Sequence, residues 1–143
     1  MSFVKVMIHA VWGTKNREPL LTRDIRRLVI KHIETNAREK KIYIDTLDGY
    51  VEHLHCLYGL NADMSISKAL QLMKGESAYW INKEKLTKLN FEWADEYFAV
   101  SVSESMIPAV RAYIRNQEEH HKKKTFKEEY DGFIRKYNLQ NHG

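Results

Sequence analysis

Residues 42–60 read IYIDTLDGYVEHLHCLYGL, and this stretch decides the fold. Ile42 to Leu47 alternates as a strand does, Asp48-Gly49 has the composition of a tight turn, and Tyr50 to Leu60 reads as the next strand. Two strands joined so closely form an antiparallel hairpin. Before the hairpin, Pro19 breaks the chain, Thr22 is a candidate helix cap with Asp24 in the first turn, and Ile25, Leu28, Val29, Ile33 and Ala37 recur at helical spacing. That spacing predicts a helix to about Lys40, preceded by a strand over Phe3 to Trp12 that stops at Gly13. After the hairpin, Asn61 to Ser65 is a loop with Ser65 as cap, and Ile66, Ala69, Leu70, Met73, Ser77 and Trp80 share one helical face. Gly75 interrupts that helix at a cost of about 1 kcal/mol relative to alanine, which suggests that something approaches closely there. Tyr97 to Ser103 reads as a fourth strand, and Ser105 as the cap of a last helix with Pro108 in its first turn. The order is strand, helix, strand, strand, helix, strand, helix. Its first six elements match the ferredoxin-like split arrangement, an α+β fold with an antiparallel sheet, helices on one face, and here a further C-terminal helix.

Bulk properties are consistent with one domain over residues 1–143, with no repeats and no linker. An apolar content of 43% excludes wholesale disorder. No apolar run approaches the roughly 18 residues a membrane helix needs. The first residues carry Lys5 and His9 within an apolar stretch and lack a small-residue cleavage site, so they read as a strand rather than a signal peptide. The lone Cys56 excludes an intramolecular disulfide and fits a reducing cytoplasm. The formal charge of +4, from 23 Lys+Arg against 19 Asp+Glu, permits a polyanionic partner without demanding one.

Three groups of residues could carry chemistry. In His53-Leu54-His55 the side chains alternate, so both imidazoles point to one face of the strand and Leu54 and Cys56 to the other. Two same-face imidazoles can grip one divalent metal ion, although a pair of hydrogen-bonded or solvent-facing histidines gives the same pattern. A third ligand is then required. In the last helix Tyr113 and Gln117 stack four residues apart on the flank of a core stripe formed by Ile107, Val110 and Ile114. A tyrosine and a glutamine there are ordinarily packing and surface residues. The third group is basic and aromatic: Lys15, Arg17, Lys74, Lys122, Lys123 and Lys124, with Trp12, Tyr58, Trp80 and Trp93. Cations for phosphates and rings for stacked bases suit single-stranded nucleic acid, and they also suit a solvated face. A basic extension begins at about residue 122, within the low-complexity run His120-His121-Lys122-Lys123-Lys124.

Nearly the whole chain resembles a family, the small single-tyrosine transposases of bacterial insertion sequences with their REP-associated relatives. The matching residues begin with His9, Val11-Trp12, Thr14-Lys15, Arg17 and Pro19-Leu20. They continue through Glu52-His53-Leu54-His55, Lys74-Gly75 with Ser77, Phe91-Glu92-Trp93 and Ser101-Val102-Ser103. They end with Tyr113-Ile114-Arg115-Asn116-Gln117-Glu118-Glu119-His120-His121, Phe126 and Glu129-Tyr130. His53-Leu54-His55 satisfies the family's HUH signature of histidine, hydrophobic residue, histidine. The resemblance implies Tyr113 as nucleophile, with His53, His55 and Gln117 holding Mg²⁺ or Mn²⁺. It implies single-stranded DNA as substrate, with hairpin-bearing element ends, a 5′-phosphotyrosine intermediate and a homodimer. Two departures stand out. Glu52 replaces a common aspartate, and Ala94-Asp95-Glu96-Tyr97-Phe98 replaces a Gln-x-Gly-Tyr-Gly-like turn, which alters the geometry for recognising DNA ends.

Other readings are a non-catalytic ferredoxin-like module that binds nucleic acid, and a domesticated family member acting on chromosomal repeat hairpins. The first gives no reason for His53, His55, Tyr113 and Gln117 to coexist. A histidine-paired phosphodiesterase would need two separate His-x-Ser/Thr motifs, whereas this chain has one His-x-His and no second copy.

Overall fold

In a computed structural model, which describes residues 3–137, four strands form one antiparallel sheet. They are β1 (Met7–Gly13), β2 (Tyr43–Tyr50), β3 (His53–Gly59) and β4 (Phe98–Val102), in the order β2-β3-β1-β4. The helices α1 (Arg23–Glu39) and α2 (Ile66–Lys83) make the two crossovers, which gives the ferredoxin-like α+β fold. Three more helices follow: α3 (Ile107–Arg115), α4 (Gln117–His121) and α5 (Phe126–Tyr137). No helix among the described residues is long and apolar enough to cross a membrane.

The sheet is covered on both faces, and strand alternation assigns each residue to one of them. Ile8, Ala10 and Trp12 of β1 and Leu54, Cys56 and Tyr58 of β3 meet Val29, Ile33 and Ala37 of α1 and Ala69, Leu70 and Met73 of α2 in the main core. The opposite residues, Met7 and Leu57, pack on Ile107 and Ile114 of α3, while Val11 and Phe98 pack on Phe126 of α5. Arg111 of α3 clamps Asp45 of β2 with two bonds, Nε to Oδ1 at 2.8 Å and Nη2 to Oδ2 at 2.6 Å. Asp45 stands at the irregularity between Ile44 and Thr46, where the β2–β3 register shifts.

Several local expectations are corrected. The hairpin turns at Val51-Glu52 rather than at Asp48-Gly49, because Gly49 lies inside β2 opposite Leu54. A Cβ on Gly49 would stand 2.1 Å from the His53 carbonyl oxygen, so glycine here permits close strand approach rather than a turn. The first strand starts at Met7, not Phe3. Thr22 occupies the α1 cap position without a side-chain bond, and Leu28 is exposed, whereas Ser65 does accept from the Lys68 amide at 3.1 Å. Ser105 falls in a 3₁₀ turn over Glu104–Met106 and caps nothing. The helix carrying Tyr113 is not continuous to Gln117: Asn116, at φ −102 and ψ 27, breaks α3 from α4. The basic extension is itself helical from Phe126.

Candidate active site

β3 carries His53 and His55 on the face that α3, α4 and α5 cover, and both rings are fully buried. Their partners fix which nitrogen faces inward. His53 Nδ1 lies 2.7 Å from a Glu52 carboxylate oxygen, so Nδ1–H donates outward and the Nε2 lone pair turns toward α4 and α5. That Nε2 lies 3.0 Å from Gln117 Oε1 and 3.3 Å from Glu129 Oε1. His55 Nδ1 meets His9 Nε2 at 2.9 Å, and its Nε2 lies 3.2 Å from the same Glu129 oxygen. Gln117, also buried, donates its amide to the Tyr113 carbonyl at 3.2 Å, which leaves its oxygen facing the imidazoles.

Tyr113 stands over this cluster from α3. Its hydroxyl donates to Glu129 Oε2 and lies 3.3 Å from His120 Nε2, and its ring meets that of His55 edge-on with centroids 5.5 Å apart. The break at Asn116 lets α4 turn Gln117 inward while Tyr113 stays above the sheet. Gly13 matters for the same closeness: Phe126 of α5 stacks flat on His53 at 4.0 Å, and a Cβ on Gly13 would stand 2.8 Å from that phenyl ring.

The electrostatics follow from burial and from Glu129. Burial and the neighbouring His55 lower His9 to about 3; burial also lowers His55 to about 4 despite Glu129, so both rings are neutral. Burial opposes a charge on His53 as well, but hydrogen bonding to Glu129 and Glu52 outweighs it and raises that ring. Glu129 is likewise disfavoured by burial, yet His121, His53 and His55 hold it well below the usual carboxylate range. Burial, then the bond to Glu129, push the Tyr113 phenol well above 10. The inward atoms of His53, His55, Gln117 and Glu129 are nitrogen and oxygen atoms that converge on one buried point. With the inward imidazole protons shed, such a mixed set could hold a divalent cation. His53, His55 and Glu129 have ligand atoms within 4.8 Å of one another.

All four residues singled out in the sequence, Tyr113, His53, His55 and Gln117, thus meet in one place within one chain. Sequence reasoning missed Glu129 as the hub. A signal existed: Phe126, Tyr130 and Phe133 recur at helical spacing and pack beside Val11 and Phe98, which marks α5 as a docked helix. The basic residues are more scattered. Arg17 lies over the Phe126 ring at 5.6 Å and, with Lys15, Trp93 and Tyr130, lines a cleft of about 630 Å³ beside the site. Lys15 pairs with Glu92 at 2.9 Å and Lys122 with Glu119 at 2.8 Å, while Lys123 is exposed. Lys74 donates to the carbonyls of Ala94 and Asp95 at 2.7 and 3.1 Å, tying down the segment that departs from the family's turn.

The profile of the family described as "Transposase IS200 like" matches residues 2–117. The chain belongs to that family. Family membership makes it an enzyme that acts on DNA. Two solved structures share its fold. One, a transposase candidate from Deinococcus radiodurans R1, is 22% identical with a TM-score of 0.66, covering 81% of this chain and 93% of that one. The other, a REP-associated tyrosine transposase bound to a REP hairpin, is 17% identical with a TM-score of 0.64, covering 85% of this chain and 72% of that one. No curated protein sequence matches this IS200-like chain significantly.

Proposed function

We propose that this transposase cleaves and rejoins single-stranded DNA at hairpin-bearing ends through Tyr113, with Mg²⁺ or Mn²⁺ held by His53, His55 and Gln117. The observation that carries the reading is the convergence of the Tyr113 hydroxyl and both Nε2 atoms on one buried carboxylate, Glu129. A divalent cation on these donors, when bound, would polarise a phosphate oxygen and offset charge that develops during transfer.

The chain's own residues do the rest. Tyr113 Oη forms the new bond to phosphorus, and the 3′-oxygen of the preceding nucleotide leaves and is protonated to a free 3′-OH. The product is a 5′-phosphotyrosine. The phenol is protonated at neutral pH, so its proton must move during attack, and Glu129 Oε2, which already accepts it, is the nearest acceptor. In the reverse step a 3′-OH from a second strand attacks the phosphotyrosine, and the phenol departs and regains its proton. Bond energy is conserved in the covalent link, so no nucleotide cofactor is needed. Glu52 and His9 orient His53 and His55 through their Nδ1 atoms. Lys15, Arg17, Lys74, Lys122 and Lys123 are the proposed phosphate contacts, with Arg17 at the cleft nearest the site. Tyr113 is half-buried, but both imidazoles are fully buried, so a phosphate that reaches an ion held by them must displace part of the covering helices. The family's homodimer belongs to the proposal too, although the four side chains meet without a second chain.

Tyr113→Phe tests the reading. Incubated with single-stranded element ends and MnCl₂, the native protein should form a covalent DNA adduct, resolved by denaturing electrophoresis. The variant should form none while retaining DNA binding. Adducts formed by the variant would show that another residue is the nucleophile.

A further inference from the structure

Glu118 and the arginines of α1 have no part in the chemistry above, yet they hold the residue next to a proposed ligand. Arg23 grips the Glu118 carboxylate with two bonds, Nε to Oε1 at 3.1 Å and Nη2 to Oε2 at 2.7 Å. Arg26 donates to Oε1 from Nη2 at 2.8 Å and, with Nη1, to the Leu21 carbonyl at 2.9 Å. The two arginines contribute differently. The Arg23 side chain is 63% exposed, and an ion pair so open to water adds little stability. That of Arg26 is 6% exposed, so its guanidinium is out of water and needs the carboxylate. A planar guanidinium also fixes the orientation of a carboxylate, not only its distance. Such a hold matters because α4 cannot take its direction from α3. The chain breaks at Asn116, and α4 is five residues long. Adjacent helical residues project about 100° apart, so α4 turns Gln117 into the site while Glu118 reaches α1. α3 has an arginine–carboxylate pair of its own, Arg111 on Asp45 of β2. His121 of α4 also stacks on Tyr50, with centroids 5.1 Å apart, but a stack fixes a plane and tolerates sliding within it.

We infer that Glu118, held by Arg23 and Arg26, is a positioning residue: it sets the aim of α4 and so keeps the Gln117 amide oxygen beside the imidazoles, 3.0 Å from His53 Nε2. A neutral amide attracts a cation far less than a carboxylate does, so its worth as a ligand depends on being in place beforehand. The inference rests on the metal reading of His53, His55 and Gln117 proposed above.

The test uses the full chain and MnCl₂ alone, with dissociation constants from isothermal titration and folding checked by circular dichroism. Glu118→Ala should weaken Mn²⁺ binding about 10-fold, the lower end of what loss of an orienting group around a metal site costs. The same substitution added to Gln117→Ala should weaken it no further, since Glu118 acts through that side chain. Arg23→Ala separates aim from charge. Loss of a positive charge would by itself tighten Mn²⁺ binding, whereas loosening of α4 weakens it, and a weaker site is expected. Arg23 is exposed, so its truncation leaves the fold intact and carries the test even where Glu118→Ala does not fold. Unchanged or tighter binding by Arg23→Ala, or an equal loss from Glu118→Ala with and without Gln117, would overturn the positioning role and leave the metal reading standing. No Mn²⁺ binding by the native chain would overturn both.

Discussion

Leu54 and His55 are neighbours in β3, and both are fully buried, yet they lie in opposite environments. Leu54 faces α1 and α2 in a core built from aliphatic and aromatic groups. His55 faces α3, α4 and α5 among His9, His53, Tyr113 and Glu129. Burial on the first face is favourable through apolar area alone, at about 25 cal/mol per Å². Burial on the second costs free energy unless each polar atom is paired, and Glu129 supplies most of the pairing. The first face holds the sheet; the second concentrates groups whose protonation is unsettled by their neighbours. Separation of stability from chemistry across one strand is what period-two alternation allows.

The sharpest way to break that comparison is to truncate both neighbours. Leu54→Ala should lower the unfolding free energy by about 2–5 kcal/mol, since a large side chain is removed from a close-packed core. A chemical denaturation series would measure it. Whatever fraction of that variant folds should still form the DNA adduct. His55→Ala should do the opposite, abolishing the adduct in the presence of ordinary concentrations of Mn²⁺ while the chain stays folded by circular dichroism. An active His55→Ala protein would remove the metal reading of this face.

The two faces also differ in how much of each was legible. The main core follows from periodicity: Val29, Ile33 and Ala37 on α1, and Ala69, Leu70 and Met73 on α2, are buried as their spacing requires. Strand alternation put His53 and His55 on one face, and the four-residue spacing of Tyr113 and Gln117 brought them together even though the helix between them is broken. What could not be read was long-range. Gly49 resembles a turn residue by composition, and only the register of β2 on β3 shows that it is needed for close packing on Leu54. Glu129 lies 74 residues from His55 in sequence, in a segment that reads from its lysines as a basic extension. Its partners belong to three other elements, and no local pattern reports such a meeting.

A smaller effect should appear in the metal-free protein as pH changes. His9 and His55 are lowered to about 3 and 4, against 6.5 when unfolded. Between those limits the unfolded chain takes up protons that the folded chain refuses, so stability should fall as pH drops from about 6.5 towards 4. His53, raised above 6.5, contributes in the opposite sense, with its stabilisation present below 6.5 and lost at higher pH. Glu129, held low, keeps its contribution throughout this window, because its stabilisation is lost only as pH falls through its depressed folded value. Two imidazoles outweigh one, so the thermal midpoint in EDTA should be lower at pH 5 than at pH 7. A midpoint that rises on acidification would mean that the histidine face is not held neutral.

The smallest effect concerns Gly75, on the far side of the molecule from the histidines. A glycine within α2 weakens it, yet a Cβ added there meets nothing within 4 Å. Gly75→Ala should therefore stabilise the free protein by about 0.5–1 kcal/mol, through both helix propensity and a less flexible unfolded chain. Sequence reading suggested that something approaches this glycine closely, and no group among the described residues does. It lies instead on an open groove with Leu70, Ala78, Phe91, Trp93 and Tyr97. If the groove receives DNA backbone, Gly75→Ala should raise the thermal midpoint while weakening binding to single-stranded ends. A gain in stability with unchanged DNA affinity would assign the glycine no contact, and the helix face would then belong wholly to the structural side of the sheet.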